Sequence, residues 1–253
     1  MVISLQAILN AAMFIGLRVS GIVLFAPFWG HSAIPVRAKV CLVVLITALL
    51  YPTLSPGIVN QTWSPLTVCS ETIIGLAVGL ITNGVFEAAL FAGQILSIQM
   101  GYSLVNIIDP TSQIETTVMS VFHQTIVLMI FLRLNVHHWI LRAIVHSFDY
   151  LPAGGLIGSG ALVSAVLHTF SSILQLGLQI AAPVLAATMA ADIALGMLSK
   201  ASPQLPLMLL GPSLKSLLGL VVLSAAICYW PPLFERLFSE SIVYTDHVLH
   251  LAH

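Results

Sequence analysis

Residues 66–92 read LTVCSETIIGLAVGLITNGVFEAALFA, with Glu71 and Glu87 as the only charged residues and no proline. A helix needs about 20 mostly apolar residues to cross a hydrocarbon core, and this stretch exceeds that. It is too long and too uniformly apolar to be one of the alternating strands of an outer-membrane barrel. Helices and closed barrels are the structures that satisfy every backbone polar group in lipid. The stretch therefore reads as a membrane helix, and an all-α protein follows from it.

The rest of the chain agrees. Of 253 residues, 7% are charged and 58% hydrophobic, and the mean hydropathy is +1.05. Soluble domains carry about 25% charged residues, so most of this chain's outside must face lipid or other apolar protein. A net charge of −1 gives no electrostatic case for nucleic acid or an anionic lipid surface. Cys41, Cys69 and Cys228 are widely spaced in apolar runs and read as small buried hydrophobes. The first eight residues hold no Lys or Arg, so no cleaved signal peptide is expected and the first apolar run stays as a helix.

About six hydrophobic helices are expected. Apolar runs cover residues 3–25, 40–51, 66–92, 118–132, 161–198 and 207–230. The second is short for a span, and either extends past Pro52 or dips in and out of the membrane. The fifth holds Pro183 and predicts a kinked helix or a helical hairpin. Residues 133–150 and 233–253 are amphipathic. Lys and Arg fall in loops on both sides of a six-span arrangement, which leaves orientation open.

Four constellations stand out. Gly75, Gly79 and Gly84 give one helix a small-residue face, read either as a subunit contact or as packing within the chain. A polar seam, formed by Asn83, Glu87 and Gln94 and by His168, Ser172, Gln175 and Gln179, shares helix faces at spacings of three, four and seven. It suits a solute or proton path, or hydrogen bonds between helices. The segment Gln99, Met100, Gly101, Tyr102 and Ser103, leading to Asp109 and Pro110, joins two apolar runs and reads as a gate or as a surface loop. His247, His250 and His253 recur every third residue and His137 and His138 adjoin, but they lack the converging partners a metal site needs. Arg18, Glu71, Glu87, Asp192 and Lys215 lie in apolar runs and are expected to be shielded by protein. No hydrolase, metalloprotease or phosphate-loop motif is present, so no catalytic residue, cofactor or metal is assigned.

These residues carry a family resemblance over nearly the whole chain. Arg18 is followed by Ala26-Pro27 and Ile34-Pro35. Glu71, Gly75 and Gly79 precede Ala92-Gly93-Gln94. Gln99-Met100-Gly101-Tyr102-Ser103 and Asp109-Pro110 come next, then Asn135-Val136-His137, Ser147-Phe148 and Leu151-Pro152. Ala182-Pro183-Val184, Ala194-Leu195-Gly196, Ser202-Pro203-Gln204, Lys215 and Gly219-Leu220 complete the order. In this order and spacing the chain resembles the FliR family of type III secretion export-gate subunits. Two departures are Val136, where the family usually has glycine, and Lys200, where it usually has arginine.

The resemblance implies a non-enzymatic core subunit of the flagellar protein export gate in the bacterial inner membrane, at the basal body. An injectisome gate is the alternative within the family, and a secondary transporter for a small solute is the alternative outside it. The implied partners are FliP-like and FliQ-like subunits, a FlhB-like subunit and exported unfolded proteins. The chain would be one integral-membrane domain, 1–253, with a FliP-like part over about 1–160 and a FliQ-like hairpin part over about 161–253, its hairpins stacked in a larger helical assembly. The segment from Gln99 to Pro110 would plug the channel, with Met100 near a ring of methionines from neighbouring subunits.

Overall fold

The structure, a computed structural model, describes residues 5–27, 29–30, 34–58, 64–102, 117–152, 159–202 and 207–251. Among them the regular structure is all α-helical: α1 (Leu5–Phe25), α2 (Val36–Ile58), α3 (Pro65–Gln99), α4 (Val118–Arg133), α5 (Val136–Tyr150), α6 (Ser159–Ala201), α7 (Leu207–Ile227) and α8 (Trp230–Leu251). Five of these are long and apolar enough to cross a membrane, or six spans if α4 and α5 are counted together as one. The chain is an all-α polytopic membrane protein.

Helix ends follow the local chemistry. At α3, Pro65 takes the first helical position, where no N–H is needed. Ser64 caps it: the Ser64 amide donates to Thr67 Oγ1 at 3.1 Å, and Leu66 N–H reaches Ser64 Oγ at 3.4 Å. Thr117 caps α4, accepting from the Ser120 amide at 3.3 Å. At the start of α5 the left-handed residue is Asn135, φ 55°, a conformation Asn tolerates. Val136 is already helical and buried, so its departure from glycine costs nothing there.

Two readings that the sequence left open resolve, and one expectation needs correction. α2 runs past Pro52, and its apolar window, Val36–Leu54, has 19 residues; the second run is long enough to span. α6 continues through Pro183 as one 43-residue helix, with no hairpin at the proline. Proline removes one helical hydrogen bond, a loss that membrane helices absorb through neighbouring groups. Finally, all three cysteines are exposed on the chain surface, because the outside of a membrane protein is itself apolar.

The chain divides into two compact units. The first comprises α1, α2, the N-terminal part of α3, α5, the start of α6 and the C-terminal part of α8. Its core includes Phe14, Ile15, Ile22, Ile74, Ile140 and Ile144, all fully buried. Ser241 of α8 donates to the Ile81 carbonyl at 3.1 Å, and Tyr244 stacks on His168 with ring centroids 4.8 Å apart. Burial raises the Asp246 carboxyl above its ordinary value, and the charge of His146 opposes that rise. The second unit comprises the rest of α3, α4, most of α6, α7 and the start of α8. Phe86 meets Phe131 edge to face at 5.4 Å, and His123 lies 5.0 Å from the Trp230 ring.

Candidate functional site

The first unit is organised around a buried charge. Arg18 and Glu71 are both fully buried, and Arg18 Nε donates to Glu71 Oε2 at 2.7 Å. The remaining donors serve α5. Arg18 Nη1 donates to the Ser147 carbonyl at 2.7 Å and to Ser147 Oγ at 3.2 Å. Nη2 donates to the Leu151 carbonyl at 3.0 Å. Those carbonyls belong to the C-terminal end of α5, where orphan acceptors and the negative end of the helix dipole favour a cation. Phe148 presents its ring 3.9 Å from the guanidinium carbon, within cation–π range. Arg18 thus ties α1, α3 and α5. With every nitrogen engaged, the group is structural.

The approach of α1 to α3 depends on glycine. A Cβ on Gly75 would run into the Arg18 carbonyl oxygen, and one on Gly79 would meet the Ile22 carbonyl at 3.0 Å. The glycine face expected at either a subunit or an internal contact thus lies against α1 of the same chain. Gly84 is buried.

The second unit holds the stem of the segment singled out as a gate. Gln99 is the last residue of α3, and the next three close the helix. Gly101 has φ 85°. Its amide donates to the Ile98 carbonyl at 3.2 Å, and the Tyr102 amide donates to the Ser97 carbonyl at 2.9 Å. This pair of bonds with a left-handed glycine is the Schellman ending. Each stem side chain is also anchored. Gln99 Nε2 donates to Asp192 Oδ2 of α6 at 3.1 Å, and Lys215 Nζ of α7 pairs with Asp192 Oδ1 at 2.9 Å. Met100 is buried over Gly219 of α7, where a Cβ would come within 2.7 Å of the Met100 methyl. Tyr102 Oη and Ser216 Oγ share a hydrogen bond at 2.6 Å.

The sequence profile of the bacterial export proteins, family 1, matches residues 9–241. The chain belongs to this family. It is 30% identical over 226 residues to the flagellar biosynthetic protein FliR of Escherichia coli K12, covering 88% of this chain and 87% of that one. It is 29% identical over 233 residues to the protein of the same name from Pectobacterium carotovorum, covering 88% and 86%. To the FliR of Bacillus subtilis 168 it is 25% identical over 246 residues, covering 95% of each.

In this bacterial export protein Ser103, Asp109 and Pro110 lie outside the described residues, as does His253. Glu87, expected to be shielded, is exposed on the chain, as are Gln175, Gln179 and His168. Asp192 is 45% exposed and Lys215 19%. The polar seam therefore reaches the surface of the chain on helices of membrane-spanning length. Among the described residues no group of three or more His, Cys, Asp or Glu is placed to hold a metal ion. The residues that sequence reasoning missed as partners are Ser147 and Leu151 for Arg18, and Ser216 and Gly219 for the stem. Lys215 was visible; the serine beside it and the glycine one turn on, on the same helix face, were the signal.

Proposed function

We propose that this chain is the FliR-type core subunit of a flagellar type III protein export gate in the bacterial inner membrane. The observation that carries the reading is the family match over residues 9–241, joined by relatives named flagellar biosynthetic protein FliR that align along most of their length. The reading gives the chain no catalytic role. It works inside a multi-subunit apparatus, with FliP-like, FliQ-like and FlhB-like partners, and passes unfolded flagellar proteins. Its FliP-like part spans about 1–160 and its FliQ-like hairpin part about 161–253.

The surface of the chain supports an assembled state. Within the chain α3 buries 67% of its apolar window, whereas α2 buries 11%, α6 22% and α7 17%. The uncovered face of α6 carries Gln175 and Gln179 as well as apolar side chains, and α3 exposes Glu87. Polar groups on membrane helices face protein or water, so neighbouring subunits cover these faces. The transporter alternative expects a broken helix in each of two matching halves. Its candidate break, Pro183, lies inside a continuous α6.

Within the gate, the segment that begins at Gln99 and runs through Asp109 and Pro110 is the plug. A channel for unfolded chains must hold back ions when idle, and a segment set between the stem and α4 blocks it without covalent chemistry. The test of the whole reading is complementation. In a flagellated bacterium lacking its own FliR, the tagged chain should restore export and copurify with FliP-like and FliQ-like subunits. A chain that inserts in the membrane, captures neither subunit and restores no export contradicts it.

A further inference from the structure

We propose that the face shared by α1 and α2 binds a membrane phospholipid, with one acyl chain in the groove between the two helices and the phosphate at Arg37. Every residue involved belongs to the first unit, and none takes part in the plug. An open groove of about 610 Å³ runs between α1 and α2. Ala12, Gly16 and Ala48 in its lining are small and leave the room, while Met13 and Val44 are large and exposed. Thr47 packs against Gly16, where a Cβ would come 3.5 Å from its Oγ1. The small face of Gly16 is thus already taken by α2 and is not left for a further helix.

Two observations favour lipid over a partner helix. The free face of α2 offers nothing polar to a protein: between Val40 and Leu49 its exposed residues are Val40, Cys41, Val44, Leu45, Ala48 and Leu49. By contrast, α6 exposes His168, Gln175, Gln179 and Asp192, and polar groups mark the sides of membrane helices that face protein or water. The apolar stripe of α2 is also headed by a cation. Arg37, Val40, Val44, Ala48 and Tyr51 follow one another at spacings of three and four, so they share a face, and Arg37 is exposed. It lies in the first turn of α2, at the positive end of the helix dipole, and its planar fork suits phosphate oxygens. At 1.5 Å per residue, the groove lining starts about 9 Å from Arg37, at Val43, and ends about 21 Å away, at Tyr51. One leaflet's hydrocarbon is about 15 Å deep, so a lipid with its phosphate at Arg37 lays its acyl chain along the groove. The net charge of −1 supplies no general attraction, and the binding comes from this local match.

The test uses membranes of cells expressing the full, tagged chain. The probe is phosphatidylglycerol with a photoreactive group midway along one acyl chain. After illumination the chain is purified and adducts are located by peptide mass spectrometry. Label should concentrate on the segments around Met13 and Val44. Arg37→Gln should lower it there about fivefold, the change expected for one basic group at an anionic surface, and leave label elsewhere on the chain unchanged. Ala48→Phe, which fills the groove, should lower it too. Diacylglycerol with the same photoreactive chain should label these segments weakly and respond to Ala48→Phe but not to Arg37→Gln. Arg37 and Ala48 are both exposed, so neither substitution removes a buried contact; if Ala48→Phe inserts poorly, Arg37→Gln decides. Label spread evenly over the exposed apolar faces, or undiminished in Arg37→Gln, overturns the site. So does a photoreactive residue at position 44 that captures another protein subunit and no lipid, since a partner helix then covers the groove.

Discussion

Arg18 and Glu71 form a fully buried ion pair at 2.7 Å between α1 and α3. Losing it should cost far more than losing a surface bridge. Exposed pairs contribute little, whereas removing one partner of a buried pair strands the other charge at a cost of about 3–5 kcal/mol. Arg18→Met and Glu71→Gln should therefore each reduce the yield of folded chain sharply, with Arg18→Met the worse because the α5 carbonyls of Ser147 and Leu151 lose their donors too. Arg18→Lys should restore little, since one ammonium cannot reproduce the guanidinium fork. Quantifying membrane-inserted, protease-resistant chain for the three variants checks this; full yield of Arg18→Met would contradict it.

The α1–α3 approach gives a second expectation. Gly75→Ala places a methyl against the Arg18 carbonyl oxygen, which is backbone and cannot swing aside. Overpacking of this kind costs about 1–3 kcal/mol. Thermal unfolding of the purified complex should show a lowered midpoint for Gly75→Ala. Gly196→Ala, where a Cβ meets nothing within 4 Å in the chain itself, should leave the midpoint of the isolated chain in place or raise it slightly, as alanine favours helix.

Much of this was legible in the sequence, and the misses share a cause. Low charge and long apolar runs identified membrane helices, and the glycine-containing segment from Gln99 was legible as a connection between two of them. Arg18 was visible as a buried charge needing partners. Its acceptors were not, because two of them are the backbone carbonyls of Ser147 and Leu151, which no side-chain pattern announces. The polar residues Gln94, Ser97 and Gln99 concealed that α3 continues past Ala92 to Gln99. The three cysteines misled for a different reason: apolar surroundings imply burial in a soluble protein, but here apolar groups also form the outside.

The tail helix carries a pH dependence. In the folded chain the Asp246 carboxyl is raised by burial, with His146 opposing, and its Oδ1 has no hydrogen-bond partner. A raised carboxyl pKa means that ionisation at neutral pH works against the folded tail. That penalty fades as pH falls through the folded value and is gone below the unfolded one, about 3.9. Asp246→Asn should therefore tighten the tail at neutral pH and make no difference in acid near pH 3. Hydrogen exchange of α8 amides across that range measures it; equal protection of parent and variant at neutral pH would contradict it.

Gly101→Ala tests the stem itself. Alanine at the φ of 85° that Gly101 adopts is strained by about 1–2 kcal/mol. The complex should assemble and show a higher resting leak. A leak equal to that of the parent would mean that the left-handed turn does not matter to closure.

The plug is tested most directly by the resting ion permeability of cells whose export complex carries this chain without residues 103–110, the stem Gln99–Tyr102 being retained. Copurification of the FliP-like and FliQ-like subunits establishes that the complex has formed. The expected result is an assembled complex that admits small ions at rest. An assembled complex as tight as that of the full-length chain would contradict the gating role.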